Sequence, residues 1–193
     1  MDKQYTSAED IENYLGINIA DEFESQIDDW IIAMSDYVAI RTSREWLADV
    51  TATTRVFNGN GYSSIQVDDF IGIIKVEVGS DFLEDMEEVS EYVTHPFNTN
   101  SKNTIILKSD SFDSGIQNVR ITAKWGYLSE VPEDIKHATT VLVGGIVLAQ
   151  SNQDGEVESE RIGNYTVKYA TESQKSDFQT AQEIISNRTL IRV

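Results

Sequence analysis

A chain of 193 residues with 40% apolar side chains is large enough for one domain, or for a core that carries one inserted subdomain. Because it contains no cysteine, disulfides, thiolate catalysis and cysteine-ligated metals are excluded, and the composition fits a protein made in a reducing cytoplasm. Its 33 acidic and 15 basic side chains give a net charge of −18, which excludes nucleic-acid capture through clustered Lys and Arg. Two explanations of that charge stay open: a solubilising surface, or a surface that must meet DNA without holding it.

The sequence contains no segment typical of secretion or of a membrane span. Residues 1–15 lack the apolar stretch of a secretory signal. The most apolar run, residues 138–149, is shorter than the roughly 20 residues that a transmembrane helix needs. We therefore expect a soluble protein without a membrane partner.

Two helices are predicted at the start of the chain. Thr6 and Glu9 have the spacing of a capping box, which predicts a short helix that ends at Gly16. A longer helix is predicted from Asp21 to about residue 42, because its apolar residues recur every three or four positions. That apolar stripe consists of Phe23, Ile27, Trp30, Ile31, Met34 and Val38. The opposite face is acidic and carries Glu24, Asp28, Asp29 and Asp36.

From residue 50 the pattern changes to alternation and predicts strands. Strands are expected in residues 51–57, 64–68, 73–78, 104–107 and 118–125. The Asn-Gly-Asn-Gly sequence at 58–61 is strong turn chemistry and predicts a hairpin between the first two strands. The acidic residues 81–91 are predicted to form a solvated loop or an irregular edge strand. The result is an antiparallel β-subdomain inserted into a chain that is helical on both sides.

A buried helix is predicted from Pro132 to about residue 150, because apolar residues cover most of its circumference. Two glycines in its middle cost about 1 kcal/mol each relative to alanine, so we expect another backbone to come close there. That backbone would belong to the Asp21 helix or to a neighbouring subunit. An extended segment follows, and a last helix is expected over residues 176–187. The residues predicted to pack helices or subunits together are Trp30, Leu142, Gly144, Gly145 and Ile146.

No constellation in the sequence points to catalysis, a cofactor or a metal. His95 and His137 lack neighbours at the spacing of a zinc site and are expected to be structural. Residues 110–115 and 152–155 resemble calcium loops faintly, but neither completes the pattern with a glutamate at its twelfth position. The three tryptophans are expected in the core or at a corner of the fold. We therefore predict a protein that is not an enzyme, with no catalytic, cofactor-binding or metal-binding residue.

Three short sequences carry a resemblance to a known family: REW at 44–46, WGY at 125–127 with residues 131–138, and SERIGNYTV at 159–167. With the order of elements over residues 5–48 and 119–190, they resemble the head–tail connector (adaptor, or head-completion) proteins of tailed bacteriophages. The resemblance implies a structural virion protein of the neck, assembled in the host cytoplasm. Its expected partners are further copies of itself in a ring, usually of twelve, the portal protein above it, and the stopper or tail-completion protein below.

The fold class predicted on this basis is α+β: a small bundle of about four helices with an inserted antiparallel β-subdomain and a C-terminal docking arm. The expected boundaries are residues 1–49 and 126–187 for the helical core, 50–125 for the β-subdomain and 188–193 for the arm. The last six residues contain no acid, two arginines and three aliphatic side chains, which independently favours docking. The portal-docking residues predicted by the resemblance are Arg188, Thr189, Leu190, Ile191, Arg192 and Val193.

The resemblance also gives the negative charge a role, because acids on the wall of a channel would let DNA slide through it without specific binding. The candidates for such lumen acids are Asp28, Asp29, Asp36, Asp154, Glu156 and Glu158. Two other function classes stay open at this point. In the first, the β-subdomain is a carbohydrate- or receptor-binding module that uses Trp46, Tyr62 or Tyr92. In the second, two of the many carboxylates form the paired-carboxylate site of a hydrolase.

Overall fold

The computed structural model describes residues 3–19, 23–151 and 158–190, with the side chain of Glu158 left out. The described residues contain four α-helices and eight strands, all paired antiparallel, so the predicted α+β class with an antiparallel β-subdomain is confirmed. The chain forms two compact units. The helical unit comprises residues 1–44 and 131–193, and the β-unit comprises residues 45–130.

The helical unit is built around one central helix. Its helices are α1 (Ala8–Leu15), α2 (Ile27–Thr42), α3 (Glu133–Gln150) and α4 (Glu172–Asn187), and its hairpin consists of β7 (Glu158–Ile162) and β8 (Tyr165–Tyr169). Every residue of α3 from Ala138 to Leu148 is buried. Helix α3 contacts α1, α2, α4 and β8, so the prediction of a helix buried on most sides is confirmed.

The helix ends differ in detail from the sequence predictions. The N-cap of α1 is Ser7 and not Thr6, because Ser7 and Asp10 form the reciprocal hydrogen bonds of the capping box. The Thr6 hydroxyl, which was expected to cap α1, instead forms a hydrogen bond with the hydroxyl of Thr140 in α3, at 2.6 Å. Residue 21, the predicted start of the second helix, lies outside the described residues, and α2 begins at Ile27. Helix α4 begins four residues earlier than predicted, after Thr171, whose side chain accepts from Gln174 N.

The β-unit contains one six-stranded antiparallel sheet. Its strands are β1 (Thr53–Phe57), β2 (Ser64–Ser80), β3 (Glu84–Glu88), β4 (Tyr92–His95), β5 (Lys102–Leu107) and β6 (Val119–Trp125). They run in the order β1-β6-β2-β5-β4, and β3 pairs with the far end of β2. The two ends of the unit lie side by side, because Leu47 forms a bridge with Leu128 and Ala48 N donates to Leu128 O at 2.7 Å.

Two strand predictions were wrong, one about which strands pair and one about where a strand ends. The Asn-Gly-Asn-Gly turn does not close a hairpin, because β6 lies between β1 and β2. Its groups bind the loop before β6 instead, with Gly59 N donating to Asn118 Oδ1 at 2.7 Å. The two strands predicted between residues 64 and 78 are one long strand, β2, bent by register shifts. Of the two alternatives for residues 81–91, the edge strand is correct for Glu84–Glu88.

A buried carboxylate joins β2 to β6. Glu77 accepts two hydrogen bonds from the Arg120 guanidinium, at 2.6 and 2.7 Å, and one from Lys75 Nζ at 2.8 Å. Only 8% of its side chain is exposed. These hydrogen bonds, first those from Arg120 and then that from Lys75, lower the pKa of the Glu77 carboxyl from 4.5 to about 2.

This ion pair predicts a specific acid dependence of stability. Because the pKa of Glu77 is lower in the folded chain, the pair stabilises the fold above pH 4.5, and that stabilisation is lost as the pH falls towards 2. Glu77→Gln is expected to lower the free energy of unfolding by about 1–3 kcal/mol at neutral pH and to flatten its pH dependence below pH 4.5. Urea unfolding at a series of pH values measures both effects. Glu130→Gln, an exposed carboxylate of the same unit, should leave the slope unchanged, and an equal slope in all three proteins would contradict the prediction.

Candidate assembly site

The Trp125–Gly126–Tyr127 corner is a backbone contact and not a chemical site. Gly126 has φ 130, and a side chain there would meet the Ala48 backbone, because an added Cβ would lie 2.4 Å from Ala48 Cα. The Trp125 indole is fully buried, and its Nε1 donates to Thr53 O at 2.8 Å. Tyr127 packs edge-to-face on Trp46, with ring centroids 5.1 Å apart. The corner therefore fastens both ends of the β-unit together.

The glycine pair of α3 receives side chains from two other elements. An added Cβ on Gly144 would lie 3.0 Å from the Tyr14 ring of α1, and one on Gly145 would lie 2.1 Å from Val167 Cγ1 of β8. The prediction of a close backbone holds only at Gly145, where an added Cβ would lie 3.3 Å from Lys168 O, and its source was wrong: the neighbours are α1 and the β7–β8 hairpin, not the helix that follows residue 21. The neighbouring-subunit alternative is untested. Burial and the nearby Asp177 carboxylate raise the pKa of Tyr14, whose hydroxyl donates to Asp177 at 3.2 Å.

The other predicted packing residues lie in the core of the helical unit. Trp30 is 6% exposed and packs on Phe23 with ring centroids 5.4 Å apart. Leu142 and Ile146 are buried on α3. All three act in packing within the chain, and a role between subunits remains a proposal.

The first half of the predicted docking segment lies against the helical unit. Arg188 donates through Nε and Nη2 to Asp134 Oδ2, at 2.8 and 2.6 Å. Asp134 stands in the first turn of α3, where a carboxylate is favourable. Leu190 N donates to Thr42 O at 2.8 Å, and Thr189 Oγ1 donates to Arg41 O at 3.3 Å. Residues 188–190 are thus tied to the end of α2 and the start of α3.

The predicted lumen acids divide into two groups. Asp28, Asp29 and Asp36 are exposed on α2, and Asp28 accepts a hydrogen bond from Gln4 Nε2 at 3.4 Å. Asp154 and Glu156 lie outside the described residues. Glu158 is the first residue of β7, where its backbone pairs with Tyr169. Ile191, Arg192 and Val193, the second half of the docking segment, also lie outside the described residues.

An apolar residue missed by the sequence analysis stands beside the docking segment. Ile40 is 76% exposed in the last turns of α2. Arg41 lies next to it and stacks over the Tyr37 ring, with its Cζ 6.0 Å from the ring centroid. The signal was present in the sequence, because Ile40 does not belong to the apolar stripe that predicts the core.

The residues first considered for chemistry have structural contacts. His137 packs edge-to-face on Tyr14, and His95 packs on Phe97 beside a cis peptide bond to Pro96. Trp30, Trp46 and Trp125 are all buried, as predicted. Within residues 3–19, 23–151 and 158–190, no group of three or more His, Asp or Glu is arranged to hold a metal ion. Among the same residues, no helix combines the length and the apolar character needed to cross a membrane.

The residues named for a sugar- or receptor-binding module differ in their exposure. Trp46 is buried under Tyr127, Tyr92 is half-buried on β4, and Tyr62 is 71% exposed. A second aromatic residue, Phe82, is also exposed and has left-handed backbone angles (φ 60). Its N–H donates to Ile116 O at 2.9 Å, which fixes the loop. Phe82 and Tyr62, together with Phe97 (63% exposed), are therefore accessible to a ligand, whereas Trp46 is not.

The described geometry defines a class of protein: a helical unit around a buried central helix, interrupted by an antiparallel β-unit whose ends are fastened together. No model of a known family matches the sequence, and no curated protein matches it. Solved structures do share the fold, and three of them are chains of gene transfer agent (GTA) particles.

Three such structures cover nearly the whole chain. A chain in the neck of the empty GTA particle, computed with C6 symmetry, has a TM-score of 0.61 and 12% identity, covering 96% of this chain and 89% of that one. A chain in the virion of the native particle has the same TM-score and coverage with 13% identity. A chain in the neck of the native particle, computed with C12 symmetry, has a TM-score of 0.53 and 11% identity, covering 100% and 97%. At these identities the likeness establishes a shared fold.

Proposed function

We propose that this chain is a non-enzymatic structural protein of a virion neck, a head–tail connector whose copies form a ring under the portal. The ring extends the DNA channel and is the platform for the stopper or tail-completion protein. The observation that carries the proposal is the fold, which the chain shares over 96% of its length with a chain in the neck of the GTA particle. The C12 symmetry used for one of the neck structures supports a ring of twelve. Assembly then takes place in the host cytoplasm and the finished protein resides in the virion.

The charge of the chain supports its proposed contact with DNA. Duplex DNA carries one negative charge per about 1.7 Å of its axis, so a wall lined with Lys and Arg would retain it. A subunit with a net charge of −18 instead repels the duplex and lets it pass without specific binding. The exposed acids Asp28, Asp29 and Asp36 of α2 are our first candidates for the lumen wall. Asp154, Glu156 and Glu158 are the second set of candidates.

Electron microscopy of the purified chain mixed with the portal protein of the same particle tests the proposal. We expect a ring of this chain coaxial with the portal ring, with one subunit of this chain for each portal subunit. A mixture in which the chain never forms a coaxial ring would overturn the proposal.

Removal of residues 188–193 is expected to weaken portal binding by more than tenfold while the helical unit stays folded. The deletion removes two guanidinium groups that can pair with acidic side chains of the portal, and three aliphatic side chains that can fill apolar pockets. It also removes the bonds of Arg188 and Leu190 to the helical unit, so some loss of stability is expected as well.

A shorter deletion separates these two effects. Removal of residues 191–193 alone keeps the Arg188–Asp134 ion pair and the Leu190–Thr42 hydrogen bond, so it should weaken portal binding without a change in thermal unfolding. Affinity for immobilised portal protein and thermal denaturation are the two measurements. Normal portal binding by the chain that lacks residues 188–193 would show that the docking assignment is wrong.

A further inference from the structure

We infer that the docking segment does not bind alone: the last turns of α2, with Tyr37, Ile40 and Arg41, form one continuous surface with residues 188–190 of that segment. The partner that fits this surface is a protein with an apolar pocket rimmed by acidic side chains. The inference rests on the proposed function, because that proposal gives the segment a partner.

The exposure of Ile40 is the first observation. An isoleucine with 76% of its surface in water contributes little to the packing of its own chain. The apolar stripe of α2 is buried through Trp30, Ile31, Met34 and Val38, and Ile40 projects away from that stripe. Tyr37, one turn before Arg41, is half-buried and adds an aromatic ring to the same side. Aromatic and aliphatic side chains of this kind are typical anchors in protein interfaces.

Continuity with the docking segment is the second observation. Thr189 and Leu190 donate hydrogen bonds to the carbonyl oxygens of Arg41 and Thr42, the two residues that follow Ile40. These bonds hold the segment beside the end of α2. Leu190 is half-buried there, and the sequence continues with Ile191 and Val193. A partner that binds the segment therefore also contacts the last turns of α2.

The charge of this surface indicates the kind of partner that binds it. Arg41 is exposed, Arg188 keeps 43% of its side chain in water beside Asp134, and Arg192 follows in the sequence. Asp36 is exposed one turn before Ile40 on α2, and the basic surface ends at this acidic residue. Arg41 and Arg188 on one surface of a chain with a net charge of −18 favour an acidic partner, since guanidinium groups pair best with carboxylates.

The test uses full-length variants and the purified portal protein of the same particle as the probe. Ile40→Asn is expected to weaken binding by about tenfold, the loss of one well-buried anchor. Arg41→Glu is expected to weaken it at least as much and to reduce its dependence on salt. Ile74→Asn is the matched control, because Ile74 is 66% exposed on β2 of the β-unit and should bind like the unmodified chain. Thermal unfolding of each variant checks that the fold is intact.

The outcomes separate the inference from the proposed function. If the unmodified chain does not bind the portal, both fall. If the unmodified chain binds and Ile40→Asn binds equally well with a normal fold, only the inference about the continuous surface is overturned. If Ile40→Asn binds the portal normally but no longer forms rings, the occupant of the surface is a second copy of this chain and the inference is overturned. A selective loss of portal binding in both α2 variants, with Ile74→Asn unaffected, supports it.

Discussion

Gly126→Ala is expected to lower the free energy of unfolding by about 3–5 kcal/mol, a large share of the stability of a domain of this size. Two costs add at this position. The φ of 130 is a conformation that a side chain tolerates poorly, and the new Cβ would lie 2.4 Å from Ala48 Cα and 2.5 Å from Leu47 O. Because both of these are backbone atoms, no side-chain rotation relieves the contact. Denaturant unfolding, followed by tryptophan fluorescence, measures the loss.

A control substitution separates the two costs. Gly16 also has a left-handed φ, of 69, but nothing lies within 4 Å of its would-be Cβ. Gly16→Ala should therefore cost only about 1–2 kcal/mol, from the backbone conformation alone. Equal effects of the two substitutions would contradict the close contact between the corner and the backbone at Ala48.

Gly145→Ala is expected to destabilise the chain by about 2–3 kcal/mol, although alanine is the better helix former. The new Cβ would lie 2.1 Å from Val167 Cγ1, on a short and stiff side chain that is itself buried, and 3.3 Å from Lys168 O. Thermal or denaturant unfolding measures the effect. Gly144→Ala is the neighbouring control, since the Tyr14 ring 3.0 Å away can shift by a few tenths of an ångström. We expect that variant to stay within about 1 kcal/mol of the unmodified chain.

A double-mutant cycle then identifies the partner of Gly145. Val167→Ala removes the methyl group that the new Cβ would strike, so the double variant should be more stable than the sum of the single effects by about 1–2 kcal/mol. Strict additivity would mean that the hairpin does not pack on α3 at this glycine.

The central helix could be predicted from the sequence because its signal is local. Apolar residues around most of the circumference of α3 indicate burial on most sides, and the structure agrees. The partners of its glycine pair could not be predicted, since Tyr14 and Val167 lie far from them along the chain in opposite directions. The strand order could not be predicted for a similar reason. The turn sequence at 58–61 is a genuine local signal, but β6, the strand that separates β1 from β2, follows some sixty residues later.

The candidate site was predicted only in part. The composition of residues 188–193 singled that segment out, whereas its bonds to Thr42 and Asp134 depend on the tertiary fold. Ile40 was missed because a stripe analysis identifies the residues that face the core and treats the remainder as a solvent face. An isoleucine on the solvent face indicates a helix that binds a second partner in addition to its own core.

The side-by-side ends of the β-unit also bear on the order in which the chain folds. Helices α2 and α3 must meet across an insertion of roughly 90 residues, and closing a loop costs about 0.6 kcal/mol for each doubling of its length. Once the segments around Leu47 and Leu128 have come together, the bridge between them replaces that long loop with a connection of about ten residues, 43–47 and 128–132. The entropic cost of bringing α2 and α3 together then falls by about 2 kcal/mol, since ten residues are about three halvings of 90. An insertion folded in this way speeds the assembly of the helices that flank it.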